Sequence, residues 1–214
     1  WLAAPVEEEG NKQAEWRTDP ELSGDTNCVG DIGSHIENTV SYITDLDIES
    51  IAANMSIFGE GRELDDNAEM MLKFSNGSTG SFWCSQVAIG HDNGLKVRVY
   101  GTKGSLVWKQ ENPNYLEISS LEGPKKRISR GRDELYPSAA DSVRLPGGHP
   151  EGFYEAFSNI YRNFLAALED KKSGKDVKPE NYDYPDVVAG VQGVKFIERC
   201  IESSQQNSEW VKFD

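Results

Sequence analysis

An imidazole and a carboxylate four residues apart share one side of a helix, and "CVGDIGSHIENTVSYI" (Cys28–Ile43) holds Asp31 and His35 at that spacing. The pair suits proton transfer. Histidine titrates near neutrality, and a neighbouring carboxylate raises its basicity and fixes its tautomer. On a regular helix Asp31, His35, Asn38 and Tyr42 form one polar stripe, flanking an apolar stripe of Ile32, Ile36, Val40 and Ile43. A polar margin beside a buried face is where a cleft wall would lie, and Gly30 and Gly33 would let a substrate approach closely. A purely structural account fits the same residues: Asp31 caps the helix and complements its dipole, while His35 is a partly buried histidine steadied by that charge. The spacing alone leaves both open.

The elements that must position this pair follow from periodicity. Residues 1–30 are polar and turn-rich (Pro5, Gly10, Pro20, Gly24, Gly30) and predict a connecting segment. The helix bearing the pair should end near Thr44. From Asp45 to about Arg130 the period changes to two, as in "NAEMMLKF", where Ala68, Met70, Leu72 and Phe74 share one face. Asn76-Gly77 then marks a hairpin, and the later strand candidates, "GLKVRVYG", "SLVWKQ", "YLEISS" and "KKRIS", extend an antiparallel meander. A Gly/Pro/Ser-rich loop over 130–150 precedes two helices. Phe153, Phe157, Ile160, Phe164 and Leu168 stripe the first; Val187, Val191, Val194, Ile197 and Ile201 stripe the second, which begins near Pro185. The pattern predicts an α+β fold: an open, mostly antiparallel sheet with helices packed on one face. The other face, with candidates Trp83 or Phe82, Tyr100 and Trp108, is expected to meet another copy in a dimer or tetramer.

Composition narrows the partners. Twenty-two Lys and Arg stand against 36 Asp and Glu, a net charge of −14, which argues against a phosphate backbone and hence against nucleic acid. Cys28, Cys84 and Cys200 are odd in number and widely spaced, predicting no disulfide framework and a reducing, cytoplasmic setting. No run approaches the roughly 20 apolar residues of a membrane span. With three histidines and no ligand spacing, no metal site is expected. Nor is there a GxGxxG or GxxxxGK[ST] phosphate cradle, a GxSxG elbow or an HExxH.

Longer stretches carry a resemblance. "EWRTDPELSGDTNCVGDIGSHIENTVSYITDL" (Glu15–Leu46), "GLKVRVYGTKGSLVW" (Gly94–Trp108, a V-x-G-x-x-G-x-L pattern), "LPGGHPEGFYEAFSNIYRNFLAAL" (Leu145–Leu168) and "YDYPDVVAGVQGVKFIERCIESSQ" (Tyr182–Gln205) occur in order over nearly the whole chain. Together they resemble the C-terminal domain of the glucose–fructose oxidoreductase/inositol dehydrogenase/MocA family. Members place an N-terminal Rossmann domain that holds NAD or NADP before this domain, which forms the substrate side and subunit contacts. The resemblance implies that residues 1–214 are that second domain, with residues 1–30 as its connecting segment. The dinucleotide fingerprint and the lysine of the family's E-K-P motif would then lie outside this chain. "WLAAPV" would be the exit from the Rossmann domain into a first strand, in keeping with a chain that opens on Trp1 rather than Met.

Residue by residue, the resemblance implies that His35 and Asp31 match the D-x-G-x-H histidine and aspartate of proton transfer. Trp16 and Arg17 match a substrate-contacting Trp-Arg pair, and His149 in "GGHPEG" would border the same pocket. The chemistry is consistent. Oxidising a secondary alcohol sends hydride to the nicotinamide while the hydroxyl proton leaves to a base, and a sugar or polyol offers hydroxyls to an Arg and C–H faces to a Trp. Plain alternatives are a core aromatic for Trp16, a solvated charge for Arg17 and a helix-capping loop residue for His149. The implied function is an NAD(P)-dependent sugar or polyol dehydrogenase, inactive as this domain alone. A non-catalytic sugar-binding or scaffolding module and an NAD-dependent glycosidase are the rival readings.

Overall fold

A computed structural model describes residues 15–132, 135–178 and 181–214. The expected strand at residues 1–6 lies outside them. The first elements are a 3₁₀ turn, Glu15–Arg17, the short α1, Pro20–Ser23, a wide π-type turn, Val29–Gly33, and α2, Ser34–Thr44. Seven strands follow: β1 Ile48–Ser56, β2 Asn67–Phe74, β3 Thr79–Ser85, β4 Lys96–Gly101, β5 Gly104–Lys109, β6 Tyr115–Ser120 and β7 Lys126–Ser129. Helices α3, Pro137–Asp141, α4, Phe153–Lys172, and α5, Val187–Gln205, precede β8, Val211–Lys212. No helix among the described residues is long and apolar enough to cross a membrane.

The chain divides into two units, one of residues up to Asp92 with Val187–Asp214, the other Asn93–Asp186. In the first, an antiparallel sheet runs in the order β3-β2-β1-β8. Alternation in β2 buries Ala68, Met70, Leu72 and Phe74 and turns Glu69, Met71 and Lys73 outward. Gly77, at φ +83°, closes the β2–β3 hairpin while Asn76 Oδ1 accepts the Ser78 N–H at 3.0 Å. The inward face, with Ile51, Met70, Leu72, Phe82 and Cys84, packs with Cys28, Val29, Phe196 and Cys200; Ile32 of the wide turn, Ile36 and Val40 of α2 and Ile197 of α5 lie against it. Burying a ring such as Phe196 contributes about 1.5–3 kcal/mol. Since β8 is only two residues long, it leaves part of the β1 edge unpaired. There Ser203 Oγ accepts the Ala53 N–H at 2.8 Å and Ser204 Oγ the Met55 N–H at 3.1 Å.

The second unit holds the meander β4-β5-β6-β7, antiparallel throughout. Gly104 opens β5 so close to β6 that a Cβ there would lie 2.2 Å from the Ser119 carbonyl oxygen, which accounts physically for the second glycine of the V-x-G-x-x-G-x-L pattern. The α4 stripe stays open: Phe153 and Phe157 are 67% and 46% exposed, and Ile160, Phe164 and Leu168 also remain accessible.

The α+β class, the antiparallel pairing and the packing of α2 and α5 on one face agree with the sequence. The strands, however, fall into two sheets. The connection after β3 turns at Gly90 and Gly94, both at positive φ, and β8 returns from the C-terminal end to the side of β1. Of the expected outer-face aromatics, Trp83 is exposed, as is Tyr100 of the second unit. Phe82 is core, and Trp108 is half-buried with its indole N–H on the Pro113 carbonyl at 3.1 Å.

Candidate active site

Four of the five expected site residues belong to the first unit. The 3₁₀ turn sets the Arg17 guanidinium 4.4 Å from the Trp16 ring centre, and Trp16 is 43% exposed, so it is no core aromatic. Arg17 reaches the wide turn. Its Nε donates to Asp31 Oδ2 at 3.0 Å and its Nη2 to Asp31 Oδ1 at 3.2 Å. Both side chains are about one-fifth exposed, so this two-point, charge-assisted pair is sheltered from full solvent screening. Asp31 therefore does not cap α2 in the ordinary way; its carboxylate organises the Trp-Arg pair.

His35 follows one turn later, with its ring exposed. Between the two residues the backbone is not regular α-helix: the Ser34 N–H bonds the Val29 carbonyl, five residues back, and Ser34 Oγ donates to the Gly30 carbonyl at 2.9 Å. Such a widened turn, common at functional sites, shifts residues four apart off a common vertical row. No hydrogen bond joins Asp31 to His35 among the described residues, and His35 is exposed. Gly33 has a different role from the expected one. It is buried, and a Cβ there would lie 3.4 Å from Cys84 Sγ and 3.4 Å from Val29 Cγ1, so its smallness serves packing against β3.

Beneath the wide turn lies a polar layer that the periodicity did not single out. Asp65, 5% exposed, accepts bonds from Thr26, Asn27 and Val29. Asn27 and Gln86 exchange two amide hydrogen bonds, at 2.9 and 3.1 Å. The signal in the sequence was the acidic pair Asp65-Asp66 immediately before a clean strand, an unusual place for charge unless it meets backbone amides. The surroundings of Cys28 and Cys200 disfavour the thiolate. The hydrogen bond to Cys84 and burial push Cys28 far above the ordinary thiol range, and burial does the same to Cys200. All three cysteines are free and buried, and no cluster of metal-ligating side chains occurs among the described residues.

His149 lies in the second unit, exposed on a loop pinned from beneath. Arg130 donates to Glu151 Oε1 at 2.9 Å, to the Leu145 carbonyl at 2.7 Å and to the His149 carbonyl. Glu151 also accepts the Arg144 N–H at 2.7 Å, and Asn114 binds both the N–H and the carbonyl of Glu151. The start of α4 is closed by Glu155, whose Oε2 accepts the Gly152 N–H at 2.8 Å, so His149 is not its cap.

Both sheets are antiparallel throughout.

Residues 6–213 match the family described as "Oxidoreductase family, C-terminal alpha/beta domain". The chain belongs to that glucose–fructose oxidoreductase/inositol dehydrogenase/MocA family, as its ordered motifs imply. It is 32% identical over 204 residues to the uncharacterized oxidoreductase YfiI of Bacillus subtilis, covering 92% of this chain and 51% of the relative. An inositol dehydrogenase homolog from Azotobacter vinelandii, solved with NAD+, superposes with a TM-score of 0.92 at 35% identity, over 98% of this chain and 54% of that one. The same homolog solved with NADH and myo-inositol gives 0.88 at 32% identity, over 94% and 52%. The chain thus spans about half the length of these relatives.

Proposed function

We propose that this chain is the substrate side of an oxidoreductase that transfers a hydride between NAD or NADP and a secondary hydroxyl of a sugar, polyol or glycoside. The observation that carries the reading is the cluster at the start of α2: Trp16 and Arg17 stacked, Arg17 held at two points by Asp31, and the His35 imidazole open one turn on. Relatives solved with a nicotinamide cofactor and with myo-inositol support it.

A nicotinamide cofactor supplies the hydride chemistry when bound, and we assign its binding mainly to a Rossmann domain outside these 214 residues. The chain's own residues handle the proton and the orientation. A ring nitrogen of His35 takes the hydroxyl proton during oxidation and returns it during reduction. The exposed Trp16 ring offers a flat apolar face to sugar C–H groups, and Arg17, neutralised by Asp31, donates to hydroxyl oxygens without demanding an anion. A cytoplasmic setting belongs to the same reading, supported by three free, buried thiols. So does a homo-oligomer formed through the outer face of the first unit's sheet.

The test uses the full-length protein with NAD or NADP and a panel of cyclic polyols. His35→Ala should lower kcat/KM by about 10²–10⁴-fold. A variant that turns over like wild type overturns the assignment. The isolated chain should show no hydride transfer.

A further inference from the structure

The helix that carries Asp31 and His35 is capped from a distance. In the connection between β1 and β2, Asp65 Oδ1 accepts the Thr26 hydroxyl at 2.6 Å and the Asn27 N–H at 2.7 Å, and its Oδ2 accepts the Val29 N–H at 2.9 Å. Its own carbonyl takes the Cys28 N–H at 3.1 Å. Three successive amides are therefore bound by one residue that lies 36 positions beyond Val29 in sequence. The opening amides of a helix have no partner within it, and Cys28, at the cap position of the wide turn, makes no side-chain capping bond.

We propose that Asp65 is a positioning residue for the reaction, setting the place of Asp31 and His35 through the wide turn Val29–Gly33. The proposal rests on the reading of those two residues given above. A widened turn lacks the regular ladder that fixes a normal α-helix, so its placement depends on its anchors. On the far side the Ser34 N–H holds the Val29 carbonyl; on the near side Asp65 holds the Val29 amide. Val29 is thus tied from both directions, and Asp31 is two residues on. Displacing a catalytic group by about 1 Å can lower rate by about a hundredfold.

The neighbouring residue supplies the control. Asp66 is as deeply buried, and its carboxylate is as fully used: it accepts the Phe58 N–H at 2.9 Å, the Gly59 N–H at 2.7 Å and Arg62 Nη1 at 3.0 Å. Those donors all lie in the loop 57–62. Both aspartates hold the fold together, but the carboxylate of only one holds the segment that carries the site.

The experiment compares Asp65→Asn, Asp66→Asn and Thr26→Val in the full-length protein. Asp65→Asn should lower kcat by about 10–100-fold and shift the acidic limb of the kcat/KM pH profile, because that limb reports the environment of the general base. Asp66→Asn should lower the melting temperature comparably yet keep kcat within about twofold and leave the pH profile in place. Thr26→Val removes one donor to Asp65 and should move kcat and pH profile the same way by less. Equal kcat and pH profiles in Asp65→Asn and Asp66→Asn overturn the inference. If Asp65→Asn does not fold, Thr26→Val decides, and a wild-type kcat and pH profile there overturns it. An active His35→Ala removes the functional reading itself; an inactive His35→Ala beside a fully active Asp65→Asn removes only the positioning role.

Discussion

Two residues past His35, Glu37 faces inward on α2 with 3% of its surface exposed, and Ser41 Oγ donates to its Oε1 at 3.0 Å. Burial raises its pKa above the ordinary glutamate value, and the Ser41 bond only partly opposes that rise. The sign follows from linkage. A carboxyl group with a raised folded-state pKa binds its proton more readily when folded, so stability falls as pH climbs from the ordinary carboxylate range through the raised value. Glu37→Gln keeps the shape and an oxygen for Ser41 while deleting the ionisation. It should raise the melting temperature at neutral pH and flatten its decline between mildly acidic and neutral pH. Melting curves of both proteins across that range check this; parallel declines would count against it.

At the scale of elements, Gly104 gives the sharpest expectation. A Cβ there meets the backbone of β6 at 2.2 Å, and backbone cannot step aside as a side chain can. Gly104→Ala should cost the second unit on the order of 2 kcal/mol by forcing β5 from β6, read as a lower melting temperature. An unchanged melt would mean that the strands part at little cost. The elements themselves were largely legible in the sequence. The end of α2 at Thr44, the Asn76-Gly77 hairpin and the strands from β4 to β7 follow from period and turn chemistry, which act over a few residues. Partition into two sheets was not legible, because β8 is two residues of no distinctive pattern and its place beside β1 is a long-range choice. In the site, the types and order of Trp16, Arg17, Asp31 and His35 could be read directly. The wide turn could not, since it leaves the four-residue spacing intact in the letters while changing it in space. Asp65 was hidden for a related reason: it works on amides, which every sequence has.

At the scale of the whole molecule, the first unit's outer sheet face exposes Met71 at 55% and Trp83 at 56%, with Trp210 at 43% and the Lys73 ammonium 4.3 Å from that ring. Large apolar groups set side by side on a flat face suit a second copy of the same face. Sedimentation of the full-length protein should show a dimer or tetramer, and Trp83→Glu should shift it toward monomer; a wild type that sediments only as monomer contradicts this. The backbone path has a further consequence, for synthesis. The Ala53 amide finds its partner in Ser203, 150 residues later, and β1 is flanked by β8 only when Val211 has been made. A chain emerging from the ribosome therefore completes residues 93–186 first, while the sheet begun earlier keeps one edge bare until residues 203–212 have been made.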